Sequence, residues 1–336
     1  MTQVVGTSDN RSVSVECCGA ASGMPVFLMH GTPGSRSGPR PRASVLYRLG
    51  IRLICYDRPG YGDSDPHPGR SVADAAQDVA AVANALGVER FGVVGRSGGG
   101  PHALACAALL GDRVQSAAVL VGLAPSDAVG LNWSAGMTKI NVKEYDIADR
   151  DPTATRVRLA ARAELVRNDP ESLLRLLHPE LTGPDRRVVN DVAIRQQLTG
   201  TYAEAVRACG DGWIDDVLAL RSPWRFDLSQ IKVPVLLWHG EDDVFSPVEH
   251  TYWLAERIDG AAIKVQSGAA HFDAVEILPR VLAWMKDRGR SEGMQIQGTH
   301  HPVFSMQGVD VGMVSTDQPG QLLDRPAPLG LGVRDT

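Results

Sequence analysis

The stretch Phe91-Gly92-Val93-Val94-Gly95-Arg96-Ser97-Gly98-Gly99-Gly100-Pro101-His102-Ala103-Leu104-Ala105-Cys106 opens as a short apolar run, turns on small residues around one serine and leaves as an alanine-rich segment. The run predicts a buried strand and the segment a helix. Between them stands Gly95-x-Ser97-x-Gly99, the spacing of a sharp strand-to-helix turn that lifts a serine hydroxyl above the edge of a sheet. The neighbours are small because side chains there would collide with the strand and helix that meet at the turn. The helix that follows points its free N–H groups and positive dipole end at the same spot, where a developing oxyanion would sit. A phosphate-binding loop is the weaker reading, since G-x-x-x-x-G-K-[ST] is absent and no lysine follows the glycines.

Outward from this turn, strands and helices alternate. Arg11 to Cys18 alternates and ends at Gly19, which predicts an edge strand. Pro25 to Met29 is a buried strand running into His30-Gly31-Thr32-Pro33-Gly34-Ser35, and Ala43 to Leu49 reads as a short helix. Arg52 to Tyr56 is the next strand, followed by the turn-rich Asp57-Arg58-Pro59-Gly60-Tyr61-Gly62-Asp63-Ser64-Asp65. Ser71 caps a helix to Leu86 with Asp74 in its first turn, and Gly87 stops it. After the serine turn the helix runs to Leu110, and Ser116 to Val121 is again a strand. This alternation predicts a parallel sheet covered on both faces.

The pattern then breaks. From about Ser126 to Gln230 the periodicity is helical, clearest at Arg156 to Val166, Pro170 to Leu177 and Val188 to Cys209. Helices inserted between two strands predict a cap over the carboxyl edge of the sheet; the alternative is helices packed on its flank. Strand pattern resumes at Val233 to Gly240, then a helix from Val248 to Ile258, a strand from Ala261 to Val265 and a last helix ending near Met285. The expected fold class is α/β: a doubly wound, mostly parallel sheet from residues 1–125 and 231–290, a helical cap over 126–230, and a C-terminal tail over 291–336. The tail is rich in Gly, Pro and Gln and reads as disordered, although Val309, Val311 and Met313 alternate as a short strand would.

Composition narrows the function. The chain has 336 residues, 43% hydrophobic and 22% charged, as in ordinary soluble globular proteins. A net charge of −5 carries no basic footprint for nucleic acid. No apolar segment is long enough to span a membrane, and Met1 to Asn10 lacks the basic start and apolar core of a secretory signal. Cys17, Cys18, Cys55, Cys106 and Cys209 are odd in number without a C-x-x-C, which reads as reduced, mostly buried thiols. The expectation is a cytoplasmic protein acting on a small molecule, and the excess of arginine over lysine with abundant alanine points to a GC-rich bacterial genome.

A serine hydroxyl needs a base to take its proton, and the base needs an orienting acid. In an open parallel sheet such groups collect in the loops after strands. The acid candidates are in Glu241-Asp242-Asp243 after the strand ending at Trp238, with Asp127 a lower-ranked third choice; the base candidate is His271 after the last strand. The bland reading of His271 is a loop histidine paired with Asp273. His30, His102 and His239 read as structural. Arg96 is open to contact with substrate or cap, or to a surface or cap-facing salt bridge. Glu241, Asp242, His239 and His271 have no recognised metal spacing, and His300-His301 have no partner, so neither metal nor cofactor is expected.

The order serine, acid, histidine resembles the α/β-hydrolase superfamily over roughly Pro25 to Met285. His30-Gly31-Thr32-Pro33-Gly34 resembles its oxyanion loop, Asp57 to Ser64 its D-x-R-G-x-G-x-S loop, and Gly240-Glu241-Asp242-Asp243 with Pro247 its G-x-x-D-x-x-x-P loop. The resemblance is greatest to the prolyl-iminopeptidase, esterase and epoxide-hydrolase-like branch. It implies Ser97 as nucleophile, His271 as general base then acid, Asp243 as orienter, and the backbone N–H groups of Thr32 and Gly98 as oxyanion hole. Haloalkane dehalogenases and epoxide hydrolases of this fold carry aspartate at the turn, so Ser97 argues against their alkyl-enzyme chemistry. The expected reaction is hydrolysis of a small-molecule carboxylic ester. The rivals are an aminopeptidase or amide hydrolase, a thioesterase-like or cyclase tailoring enzyme, and a non-catalytic binding protein of the same fold. An aminopeptidase needs cap carboxylates for a free amine; Glu144, Glu164 and Glu171 are available, but Thr32 stands where iminopeptidases typically have glycine.

Overall fold

The apolar runs pair into one eight-stranded sheet. The computed structural model describes residues 2–292. The strands are β1 (Thr2–Gly6), β2 (Ser12–Gly19), β3 (Met24–Met29), β4 (Ile51–Tyr56), β5 (Phe91–Arg96), β6 (Val114–Leu120), β7 (Val235–Gly240) and β8 (Ala262–Gln266). The helices are α1 (Ala43–Leu49), α2 (Ala75–Ala85), α3 (Gly99–Leu109), α4 (Lys139–Arg150), α5 (Pro152–Asn168), α6 (Glu171–Leu177), α7 (Gly183–Asn190), α8 (Val192–Ala205), α9 (Asp211–Arg221), α10 (Glu249–Ala255) and α11 (Asp273–Glu292).

Strand order is β1-β2-β4-β3-β5-β6-β7-β8. β1 and β2 are antiparallel additions, and β4 through β8 pair in parallel with their neighbours. From β3 the chain crosses to β4 on one side and then to β5 on the other, so the loops leaving β3 and β5 diverge. That switch point is where an open α/β sheet forms a crevice at its carboxyl edge.

The pleat divides the core. Val26, Leu28, Leu53, Val94, Ala118 and Trp238 point to one face and pack with α1 and α11. Phe27, Met29, Ile54, Val93, Ala117 and Leu237 point to the other and pack with α2, α3 and α10. Burial on both faces explains why these strands read as continuous apolar runs rather than alternating ones. Helices α4 to α9, between β6 and β7, bury a third core built from residues such as Leu159, Leu173, Val188, Leu198 and Trp213.

Several sequence expectations need correction. The edge strand is β1, with β2 lying one place inside it. Within β1 only Val5 is buried, so the segment carries almost no hydrophobic signal. The single helix expected over 188–209 is two, because Asp191 leaves helical geometry and its carboxylate accepts from Ile194 N at 2.9 Å, starting α8. Both halves face the same helical core, so the apolar spacing reads straight through the break. Helices α4 and α9 escaped the periodicity: α4 buries only Glu144 and Ala148, and α9 buries Asp215 and Asp216 among its apolar residues. α11 continues past Met285 to Glu292. All five cysteines are free thiols, but only Cys55 and Cys106 are buried. The proposed strand over Val309 to Met313 and the pair His300-His301 lie outside the described residues, and no described helix is long and apolar enough to cross a membrane.

Phe27, fully buried in β3, packs edge-on against Phe91 at a ring separation of 4.9 Å. Phe27→Ala is expected to lower unfolding free energy by about 3–5 kcal/mol in urea titration, through lost burial and the cavity left behind.

Candidate active site

The turn after β5 is crowded by backbone. A Cβ on Gly95 would sit 2.7 Å from Gly100 Cα, so only glycine lets α3 start this close to its strand. Ser97 itself takes φ +53°, in the left-handed region, a strain of about 1–3 kcal/mol for a residue with a side chain. Its N–H donates to Leu120 O at 2.9 Å and its carbonyl accepts from Gly100 N at 2.8 Å, which hold the strained conformation. Ser97, Gly98, Gly31 and Thr32 line one cavity of about 130 Å³, which His271 also enters.

The loops after β7 and β8 bring the other two candidates together. A Cβ on Gly240 would lie 2.6 Å from the Ala269–Ala270 backbone, and Asp242 N donates to Ala269 O at 2.9 Å. This contact places His271 Nδ1 2.8 Å from Asp243 Oδ2. Asp243 is fully buried while His271 keeps 13% of its side chain open to the cavity. A carboxylate opposite Nδ1 requires the proton on that nitrogen, which leaves Nε2 free to accept one. Oδ1 of Asp243 accepts from Phe245 N at 2.7 Å and Ser246 N at 3.1 Å. Burial alone would raise the Asp243 pKa, but the His271 charge and hydrogen bonds from His239 and His271 hold the carboxyl well below its ordinary range. Burial likewise pushes the His271 pKa down, and the Asp243 charge and hydrogen bond outweigh it, so the imidazole titrates above its usual 6.5.

The alternative acids lie elsewhere. Asp242 and Asp127 are exposed. Asp273 accepts from Ala270 N at 2.9 Å and pairs with Arg187. His239 faces the carbonyl of Ser246 at 2.5 Å through Nε2, which therefore donates, and Nδ1 accepts from Thr251 Oγ1 at 2.7 Å. His30 is equally fixed: Nδ1 donates to Gly31 O at 2.8 Å and Nε2 accepts from Arg58 N at 3.2 Å. His102 Nδ1 donates to Gly98 O at 2.8 Å. All three read as structural in the sequence and are bonded into the scaffold here. Among the described residues no group of three or more His, Cys, Asp and Glu side chains is placed to hold a metal ion. Trp133 and Trp224 belong to the sheet-side core, whereas Trp213 and Tyr145 line the cavity.

A family model described as the alpha/beta hydrolase fold matches residues 24–276. The chain belongs to the α/β-hydrolase fold family. It is 28% identical to a non-heme haloperoxidase of Rhodococcus erythropolis, over 74% of this chain and 86% of that protein. It is 25% identical to a proline iminopeptidase of Neisseria gonorrhoeae, over 82% and 95%. Among solved structures, an esterase from Exiguobacterium antarcticum superposes with a TM-score of 0.62 at 24% identity, covering 85% of this chain and 100% of that one.

Two positions that brace the candidate site went unread in the sequence. Ser246 lies between Asp243 and Pro247, its hydroxyl 2.8 Å from Val121 O, 3.2 Å from Asp243 Oδ2 and 3.4 Å from His271 Nδ1. It ties the loop after β7 to the end of β6, where Val121 takes φ +48°. The second is Asp216 on α9. Its buried carboxylate accepts from Arg58 Nε at 3.1 Å, Arg70 Nη2 at 2.6 Å, Tyr61 OH at 2.8 Å and Thr32 Oγ1 at 2.6 Å. Arg58 also donates to His30 O at 2.5 Å and Gly31 O at 3.0 Å. Burial opposes ionisation of Asp216, yet the two guanidiniums keep its pKa far below the ordinary carboxylate value. The D-R-P-G loop is therefore the brace of the Gly31–Thr32 turn. No sequence signal marked Asp216, since it sits inside a helix with no local pattern of its own. Asp216→Ala strands two buried guanidiniums and is expected to cost about 3–5 kcal/mol in denaturant titration.

Proposed function

We propose that this α/β hydrolase is a serine hydrolase that cleaves a small-molecule carboxylic ester through an acyl-enzyme. The observation that carries the proposal is the Asp243–His271 pair at 2.8 Å opening onto the cavity that the strained Ser97 turn also lines. His271 Nε2 takes the Ser97 proton as Oγ adds to the ester carbonyl, and the N–H groups of Thr32 and Gly98 receive the oxyanion. Collapse of the tetrahedral adduct expels the alcohol, which takes its proton from His271. Water, deprotonated by the same nitrogen, then adds to the acyl-serine; the acid leaves and Ser97 regains its proton. Asp243 keeps the imidazole in the reactive tautomer and stabilises its cationic form. Helices α4 to α9 serve as the cap, their apolar side chains forming the far wall of the cavity.

The cavity favours an ester over the free amine of an aminopeptidase substrate. Glu144 is the carboxylate among its lining residues, and it already accepts from Arg158 at 2.8 Å and Arg162 at 3.0 Å. Glu164 and Glu171 pair with Arg167 and Arg195. A substrate ammonium would meet more positive than negative charge there.

Ser97→Ala is expected to abolish hydrolysis of short-chain esters, followed by proton release, while its unfolding midpoint stays at the wild-type value; retained hydrolysis would contradict the assignment. A base must be neutral to act, so kcat/KM is expected to rise with pH, with a midpoint above the ordinary histidine value of 6.5. Asp243→Asn removes the strongest of the influences that raise that midpoint while burial remains, so the limb should move to lower pH as kcat falls by about 10⁴. A pH profile with its midpoint unchanged in Asp243→Asn would separate Asp243 from the base.

A further inference from the structure

We propose that Arg96 is a carboxylate-binding residue of the cavity, and that the ester cleaved at Ser97 carries a free carboxylate. The inference rests on the ester-hydrolase reading above and deepens it.

Arg96 ends β5 immediately before Ser97, and it lines the same cavity. A guanidinium has five N–H donors. The hydrogen bond that Arg96 makes within the described residues is from Nη1 to Pro39 O at 3.5 Å, the outer limit for such a bond. Among the described residues no carboxylate lies within ion-pair distance of it. The other arginines around the site are paired: Arg36 with Asp57 and Glu204, Arg58 and Arg70 with Asp216, and Arg162 with Glu144. The salt bridge to the cap that the sequence left open for Arg96 is therefore absent among the described residues.

Charge and shape specify what would complete it. Arginine remains protonated even where burial lowers its pKa, as it does here. Arg96 is half-buried in the cavity wall, where a counterion is worth more than in open water, and its planar fork matches a carboxylate through two parallel hydrogen bonds. Glu144 cannot serve, since Arg158 and Arg162 hold it. The cavity, about 130 Å³, is close to the ~150 Å³ space that holds a benzene-sized ligand. Its remaining wall is largely apolar, with Leu123, Leu198, Trp213 and Phe245 among the lining residues. Arg96 and Ser97 are consecutive, with Cα atoms ~3.8 Å apart. A short half-ester of a dicarboxylic acid fits all of this: a carboxylate for Arg96 and a scissile carbonyl a few bonds away for Ser97.

The test compares methyl butyrate with monomethyl glutarate on the full chain, with hydrolysis followed by proton NMR. Wild type is expected to prefer the glutarate. In Arg96→Gln the charged-to-neutral ratio of kcat/KM should fall about tenfold to a hundredfold, the scale of a lost charge-assisted hydrogen bond. The loss should appear in KM, and Arg96→Lys should recover part of it. An unchanged ratio in Arg96→Gln overturns the inference while leaving the ester-hydrolase reading intact. If Arg96→Gln does not fold, Arg96→Met, which keeps the length of the side chain but not its charge, carries the same comparison. If folded wild type cleaves neither ester, the ester-hydrolase reading fails, and the anion site is read by calorimetry with glutarate on Ser97→Ala. Binding that the added Arg96→Gln change removes supports the site; no binding overturns it.

Discussion

The buried Asp216 carboxylate is the tie on which this arrangement depends. It sits on a helix of the insertion and gathers groups from two loops of the sheet: Arg58, Tyr61 and Arg70 beyond β4, and Thr32 beyond β3. Two guanidiniums and one carboxylate out of water are stable only because each is met in good geometry; with one partner removed, the remaining charges have no solvent to turn to. The consequence reaches the cavity. Arg58 spends its remaining donors on the carbonyls of His30 and Gly31. With those carbonyls committed away from it, the Gly31–Thr32 turn is presented to the cavity beside Gly98. The insertion and the floor of the cavity are thus joined by one polar node rather than by apolar packing alone.

On the opposite side, geometry rather than charge does the joining. The loops after β7 and β8 touch backbone to backbone at Gly240 and Ala269, which fixes the distance between Asp243 and His271 before either side chain chooses a rotamer. Backbone donors from Phe245 and Ser246 then occupy Oδ1 of Asp243 and leave Oδ2 for the imidazole. Tautomer and pKa of His271 both follow from that division of labour. Its ionisation is raised by a neighbouring charge against the pull of burial, which sets the pH range in which it is neutral.

Much of the parallel sheet could be read from the chain because its strands are buried on both faces and so appear as uninterrupted apolar runs. The residues around the serine could be read because steric demands there select glycine, and glycine leaves a visible spacing. What escaped has physical reasons. β1 covers an edge and buries Val5 alone. Asp191 splits two helices that share one core, so periodicity ran across it. Asp216 acts through partners far away in sequence, and Ser246, although it also bonds nearby Asp243, reaches Val121 and His271 only in three dimensions. Arg96 was visible beside Ser97, but whether it pairs with the insertion or faces the cavity depends on carboxylates that the fold positions elsewhere.

The proposed chemistry turns on Ser97 being an activated nucleophile. It is tested most directly by treating the folded chain with a fluorophosphonate and locating the adduct by intact mass and peptide mapping. One label per chain is expected, on the peptide that carries Ser97, forming faster as pH rises through the His271 transition and absent from Ser97→Ala. A folded chain that takes no label, or one labelled equally in Ser97→Ala, would contradict it.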